Sequence, residues 1–483
     1  MTFASIEEKL AAVRTRPPKW VTLTELPTLR WQRADAAAAP IPLSEKATKG
    51  FIADLKRESP EEVAPLARPA RARLDAVDCA AFLNGLLTQW AVAGQPSRDR
   101  RWLLFAIGLL GDDEAIDALG RRVSAEIKAK RHRAAGYCLV SLARNGSPTA
   151  KRWLARWARQ APGLTLRASA WSAWVALDDG GPLPINAVQL GFDRDGWRDY
   201  DHGGRALRLR LTPDATVELF DGARPLKSVP GPRKADDPDA VRASRARLST
   251  MKAALKEGLQ DLHDALEEAM IVERPLADWR TLLLEHPLAW RASRGLIFEA
   301  LARDGAPMWR FLLTEEGDAV DAHGEDLPLA EVSGVRVVHP GRMTADERDG
   351  WRDLLDEADA TPPFDQLDRP MALPGDGPRP LADALAVLPA MATPRLAHGL
   401  ASRGYLADNA AAAYGLIERS LKFFGPYLVV LSHEGYPANP YHWSRQRRLR
   451  LTGIEVRRGK SVVPAARLPA PVFSEIISPL QTL

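Results

Sequence analysis

Between about residue 75 and residue 180 one helical grammar repeats, and it restricts the fold more than any other feature of the chain. Ala80, Phe82, Leu83, Leu86, Leu87 and Trp90 form an apolar stripe at helical spacing. Trp102, Phe105, Ala106, Leu109 and Leu110 form the next. Gly111-Asp112-Asp113 then turns the chain into a helix carrying Ala115, Ile116, Leu119 and Val123. The pattern returns with Ala135, Cys138, Leu139 and Leu142, a turn at Asn145-Gly146-Ser147-Pro148, and Ala150, Trp153, Leu154 and Trp157. A third copy carries Leu166, Ala168, Trp171, Trp174 and Leu177 and stops at Asp178-Asp179-Gly180-Gly181. Leu110, Leu142 and Leu177 lie 32 and 35 residues apart. Two helices per unit at such a period cannot bury their apolar faces alone, so neighbouring units stack into an α-solenoid.

The chain on either side reads differently. Residues 1–74 form an N-terminal arm, punctuated by Pro17, Pro18, Pro27, Pro40 and Pro42, with Trp20, Leu26, Leu29 and Trp31 as docking surface. Residues 75–185 hold the helical units, which resemble HEAT-type repeats. From about 186 to 483 strands and helices mix. Ala206–Leu211 alternates strictly and predicts a half-buried strand, and Asp221-Gly222 is a hairpin signal. Leu248, Met251, Leu255, Leu259, Leu262, Leu266 and Met270 predict a long amphipathic helix from Pro238 to Met270. Shorter helices are expected around Trp279–Leu284 and Ala292–Ala302, and strands near Trp309–Thr314, Val335–Val338, Leu428–Leu431 and Leu449–Val456. Thr344-Ala345-Asp346-Glu347 predicts a capping box. The expected class is α+β, mainly α.

Composition limits the functional classes. With 46% hydrophobic and 27% charged residues the chain can bury a core. Its 66 Lys and Arg against 62 Asp and Glu give +4, too near neutral to announce a nucleic-acid partner. No run of ~18 apolar residues predicts a membrane span. The first residues are charged and amphipathic, so no secretory signal is expected. Two cysteines, Cys79 and Cys138, exclude a disulfide framework and an all-cysteine zinc site and fit a reducing cytoplasm.

Few motifs point to chemistry. Asp193, Asp195, Asp199 and Asp201 are acidic enough for calcium, but Gly196 falls at the fourth position and Gly204 stands where a bidentate Glu belongs, so turns are expected. The nine histidines show no HExxH pair, and no cysteine joins them at zinc spacing. His286-Pro287 and His339-Pro340 read as turn or helix caps. Ser432-His433-Glu434 cannot act as a triad, since consecutive strand side chains face opposite ways. No P-loop and no dinucleotide-binding glycine motif occurs. Lys128–Arg133 is basic, and Arg445, Arg447, Arg448 and Arg450 cluster beside Tyr441 and Trp443. Such a mix could bind phosphates and stack bases.

Several segments carry a family likeness. They are Leu190-Gly191-Phe192-Asp193-Arg194-Asp195-Gly196 with Tyr200-Asp201 and Gly204-Arg205; Leu266-Glu267-Glu268-Ala269-Met270 with Trp279; His286-Pro287-Leu288; and Trp309-Arg310-Phe311. Further on are Val338-His339-Pro340, Trp351-Arg352, Pro363 to Pro370 and Val472-Phe473-Ser474-Glu475. In this order they resemble the bacterial MolR-like family, built around a domain of unknown function and labelled a molybdate metabolism regulator. The resemblance implies a helical-repeat component of bacterial systems built with MoxR-type ATPases and von Willebrand A proteins. Some relatives carry a nucleic-acid-associated WGR domain, and no such signature occurs here. The chain departs from the family pattern at Glu273-Arg274-Pro275-Leu276, at Pro362-Pro363-Phe364 and after Ser474-Glu475.

The expected function is a non-enzymatic, cytoplasmic scaffold that binds protein partners, an ATPase among them, without metal or cofactor. One alternative is a nucleic-acid-binding regulator using Arg445, Arg447, Arg448 and Arg450. Another is an enzyme of unknown class with a polar pocket drawing on His286, His339, Gln366 and Arg369.

Overall fold

Local capping chemistry starts the helices where the sequence signals them. The Asp75 carboxylate accepts from the Val77 and Asp78 main-chain N–H groups, Asp112 from Ala115, and the Ser147 hydroxyl from Ala150. Thr344 and Glu347 bond reciprocally as a capping box at the head of the helix Ala345–Glu357. The computed structural model describes the chain except residues 1–2, 33–39, 60–61, 97–98, 178–190, 213, 235, 281–282, 284–285, 315–316, 375–379, 409–414 and 460. The turn expected at Asp178–Gly181 and parts of the segments expected at 279–284 and 373–380 lie outside the described residues. The protein is α+β and divides by compactness into residues 1–178 and 179–483.

In the first unit five successive helices pack with alternate neighbours as well as adjacent ones. Arg100–Leu110 packs on His132–Asn145, Asp113–Lys128 on Pro148–Gln160, and His132–Asn145 on Leu164–Leu177. Two helical layers result. Small residues set the approach between them: a Cβ added at Gly120 would lie 2.2 Å from the Trp153 ring, while Trp157 Nε1 donates to the Gly120 carbonyl at 3.1 Å. Gly120→Ala should therefore destabilise this unit by about 1–3 kcal/mol through overpacking. A urea midpoint unchanged from the parent would contradict the close approach. The Pro-rich first residues share one core with the helix Ala76–Val92, through Leu29, Trp31, Phe51, Phe82 and Leu86. Glu126 ties the layers together electrostatically. It is buried, and Arg100, Arg122 and Arg131 all bond its carboxylate.

The second unit holds three larger sheets. Trp197–Asp201, Ala206–Leu211, Val217–Asp221 and Arg224–Leu226 form an antiparallel meander. Its second strand alternates exposed and buried, and Leu207, Leu209 and Leu211 enter one core with Leu248, Met251 and Leu255 of the long helix Pro238–Glu268. A five-stranded sheet follows in the order Ala319–Val320, Pro307–Leu313, Phe298–Leu301, Gly334–Val337, Arg274–Pro275. Here one expectation is corrected: the stretch Ala292–Ala302 is not a helix. A short helix, Pro287–Ala292, ends there, and Phe298–Leu301 is the central strand, buried at every position. A strand covered on both faces loses its alternation, so the apolar run resembled a buried helix. A second five-stranded sheet runs Leu406–Ala407, Leu416–Phe424, Tyr427–Pro437, Leu451–Arg458, Ser461–Val462. The C-terminal helix Ala470–Gln481 packs in its core through Val472, Phe473, Ile476, Ile477 and Leu480.

Candidate functional site

Three segments far apart in sequence converge on one buried carboxylate. Glu475 projects from the C-terminal helix and is 8% exposed. Arg369, in the loop after residue 364, grips it with two bonds, Nε to Oε1 at 2.5 Å and Nη2 to Oε2 at 2.7 Å. His339 Nε2 lies 3.4 Å from the same Oε1, an electrostatic contact rather than a formed hydrogen bond. Glu267, near the end of the long helix, stands 3.7 Å from Arg369 Nη2, the same nitrogen that bonds Glu475 Oε2.

The surroundings tune each charge. Burial pushes the Glu475 carboxyl up, but the His339 contact and the Arg369 charge more than offset it and hold it at about 2. The Glu267 carboxyl is raised, by burial first and by repulsion from Glu475 and Asp264, against the attraction of Arg369. Lys422 is depressed by burial, which outweighs the pull of Glu475. Its ammonium sits 5.7 Å from the centre of the Tyr405 ring and 5.5 Å from that of Phe424. A cleft of about 330 Å³ opens on this group, lined by Glu267, Asp365, Arg369 and Glu475 and walled by Phe364, Pro370 and Pro479.

The structure places the sequence-nominated residues as follows. Arg369 lines the cleft. His339 contacts Glu475 beneath it, and its Nδ1 accepts from the Gly341 N–H at 3.0 Å. Gln366 is 1% exposed and stitches the strand ends: its Oε1 accepts from the Ile297 N–H, and its Nε2 donates to the Ile297 and Val338 carbonyls. His286 caps the helix Pro287–Ala292, its Nδ1 accepting from the Ala289 N–H at 3.0 Å. No bond joins it to the Glu475 group among the described residues. Glu267 and Glu475 were missed as site residues, although both fall in segments that carry the family likeness. Nothing in their local spacing announces that they share an arginine.

The other candidates fall elsewhere. Asp193 accepts from the Trp197 N–H at 2.7 Å and Asp201 from that of Gly204 at 2.7 Å, so both carboxylates close turns. Cys79 and Cys138 are buried, and burial pushes their thiols up to about 11 and about 12. His433 stacks on Tyr436, and burial lowers it to about 4. Arg445, Arg447, Arg448 and Arg450 are all exposed. A second cleft, of about 890 Å³, lies in the first unit between Pro17-Pro18-Lys19, residues 56–59 with Glu62, and Asp99, Arg101 and Trp102. Beside it Glu58 takes Arg68 and Arg144, and Arg57 takes Glu62. Among the described residues no helix is long and apolar enough to cross a membrane.

The fold and site thus define an α+β protein with a helical layer and a polar, partly neutralised cleft. A domain of unknown function, DUF4132, matches residues 223–405. That span includes Glu267, His339, Gln366 and Arg369 but stops before Glu475. The chain is also 27% identical over 303 residues to the uncharacterized protein YehI of Escherichia coli (strain K12), an alignment covering 60% of this chain and 25% of that protein. The matched chain thus spans about a quarter of that relative's length. No solved structure matches.

Proposed function

We propose that this chain is a non-enzymatic, protein-binding scaffold component of a bacterial system. The cleft at Glu267, Arg369 and Glu475 carries this reading. Three carboxylates, those of Glu267, Asp365 and Glu475, line it beside the Arg369 guanidinium, and Phe364, Pro370 and Pro479 supply an apolar wall. Such a cleft suits a Lys or Arg side chain of a partner protein, the stem on the apolar wall and the charge on the carboxylates. The polar side chains nominated for catalysis support binding over chemistry, because His286, His339 and Gln366 are bonded to the backbone at helix starts and strand ends. In this reading the helical layer is a short HEAT-like array, the protein is a cytoplasmic MolR-like one, and the partner is a MoxR-type ATPase.

A photocrosslinking residue at position 364, introduced into the full chain in its host, tests the cleft. A protein adduct that falls severalfold in a Glu267→Gln, Asp365→Asn double variant is the expected result, and its mass spectrum identifies the partner. Adducts that ignore the double variant, or none above an exposed control position, would refute the cleft as a protein-binding site.

A further inference from the structure

We propose that the segment from Tyr441 to Arg450 binds a single-stranded nucleic acid, with its arginines on the phosphates and Tyr441 under a base. Four guanidiniums, those of Arg445, Arg447, Arg448 and Arg450, fall within six residues, and every one is exposed. Among the described residues none of them is ion-paired, whereas Arg310, Arg336, Arg352, Arg369, Arg419 and Arg457 all have a carboxylate partner. Their side-chain bonds go to carbonyls, which orient a guanidinium without cancelling its charge. Arg448 donates to the Ala390 carbonyl at 3.2 Å and Arg447 to the Glu434 carbonyl at 3.4 Å. The Glu434 carboxylate accepts from the Arg450 main-chain N–H and leaves that guanidinium unpaired.

The backbone that presents these groups is held in place. Asn439 caps the short turn Pro440–His442 through the Tyr441 N–H, and the Ser444 hydroxyl accepts from Gln446 and Arg447. Arg448–Leu449 pairs with Met391–Ala392 as a two-stranded ribbon. Leu449 and Leu451 point inward, so Arg448 and Arg450 share the outer side, their Cα atoms about 6.6 Å apart at strand rise. Tyr441 is 96% exposed, an unusual position for an aromatic ring, and no ring among the described residues stacks on it. The neighbouring Trp443 is engaged, its Nε1 donating to the Pro437 carbonyl and its ring edge-on to Tyr436 and His398. Unpaired cations match a polyanion, and a protruding ring matches an unpaired base; a duplex would satisfy the first and hide the second. The proposal is independent of the acidic cleft, whose charge has the opposite sign.

Fluorescence anisotropy of a labelled single-stranded oligonucleotide with the full chain, read against salt, tests it. Four phosphate contacts give a slope of log K against log salt of about −3, or about 50-fold weaker binding at 200 mM than at 50 mM. Replacing all four arginines by alanine should weaken binding about 30-fold or more and flatten the slope, while the matching Arg→Lys set keeps most of it. Tyr441→Ala should cost about tenfold with the slope unchanged. Binding that is indifferent to the alanine set would overturn the proposal. So would tighter binding to a duplex or to anionic phospholipid vesicles than to the single strand. Unchanged urea midpoints for these surface variants show that the losses are not unfolding.

Discussion

Glu475→Leu should destabilise the C-terminal unit by about 3–5 kcal/mol. The substitution leaves the partly buried Arg369 guanidinium without its two-point partner and removes the contact of His339, and breaking one side of a largely buried pair costs about that much. Adding Arg369→Met should recover part of the loss, because the orphaned charge goes with it. The same carboxylate makes stability depend on pH. It sits at about 2 in the folded protein against 4.5 unfolded, so its contribution is present above about pH 4.5 and disappears as the pH falls toward 2. That contribution is about 3 kcal/mol. Urea unfolding of the parent between pH 5 and pH 2 should show this decline, and the leucine variant should show a flatter one. Equal pH slopes would mean that Glu475 is not held as an ion pair.

Trp279→Ala should cost about 3–5 kcal/mol in the same unit. The ring is 3% exposed and stands edge-on to Phe298 and Phe311, with centroids 5.4 and 5.6 Å away. Phe298 lies on the central strand and Phe311 on its neighbour, so the cavity would open under the middle of the sheet. Trp279→Phe should cost much less, about 1–2 kcal/mol. The indole N–H is buried with no bond to any described residue, so removing it relieves a polar group that the core does not satisfy. Far-UV circular dichroism in urea distinguishes the two variants. A loss below about 1 kcal/mol for alanine would mean that the ring is not part of the core.

Much of this protein was determined locally and so was legible in sequence. The helix starts at Asp75, Asp112, Ser147 and Thr344 depend on a side chain and a backbone N–H two or three residues away. The alternating strand Ala206–Leu211 and the apolar stripe of the long helix, six residues from Leu248 to Leu266 with Met270 falling in the turn just past its end, depend on a period that one element displays by itself. Both histidine–proline pairs cap the turns they precede for the same reason. The exposed arginines of 445–450 were also visible, because a surface run needs no partner to exist.

What only the tertiary structure decided involves more than one element at once. The strand Phe298–Leu301 is a strand because neighbours pair with it on both sides and cover both faces, and no periodicity survives that burial. Gly120 owes its importance to a tryptophan 33 residues away. The Glu475 group joins residues 267, 339, 369 and 475, and sequence gives each a charge or a cap but no partner. Attraction between charges depends on the distance between them and on the water left there, and folding sets both.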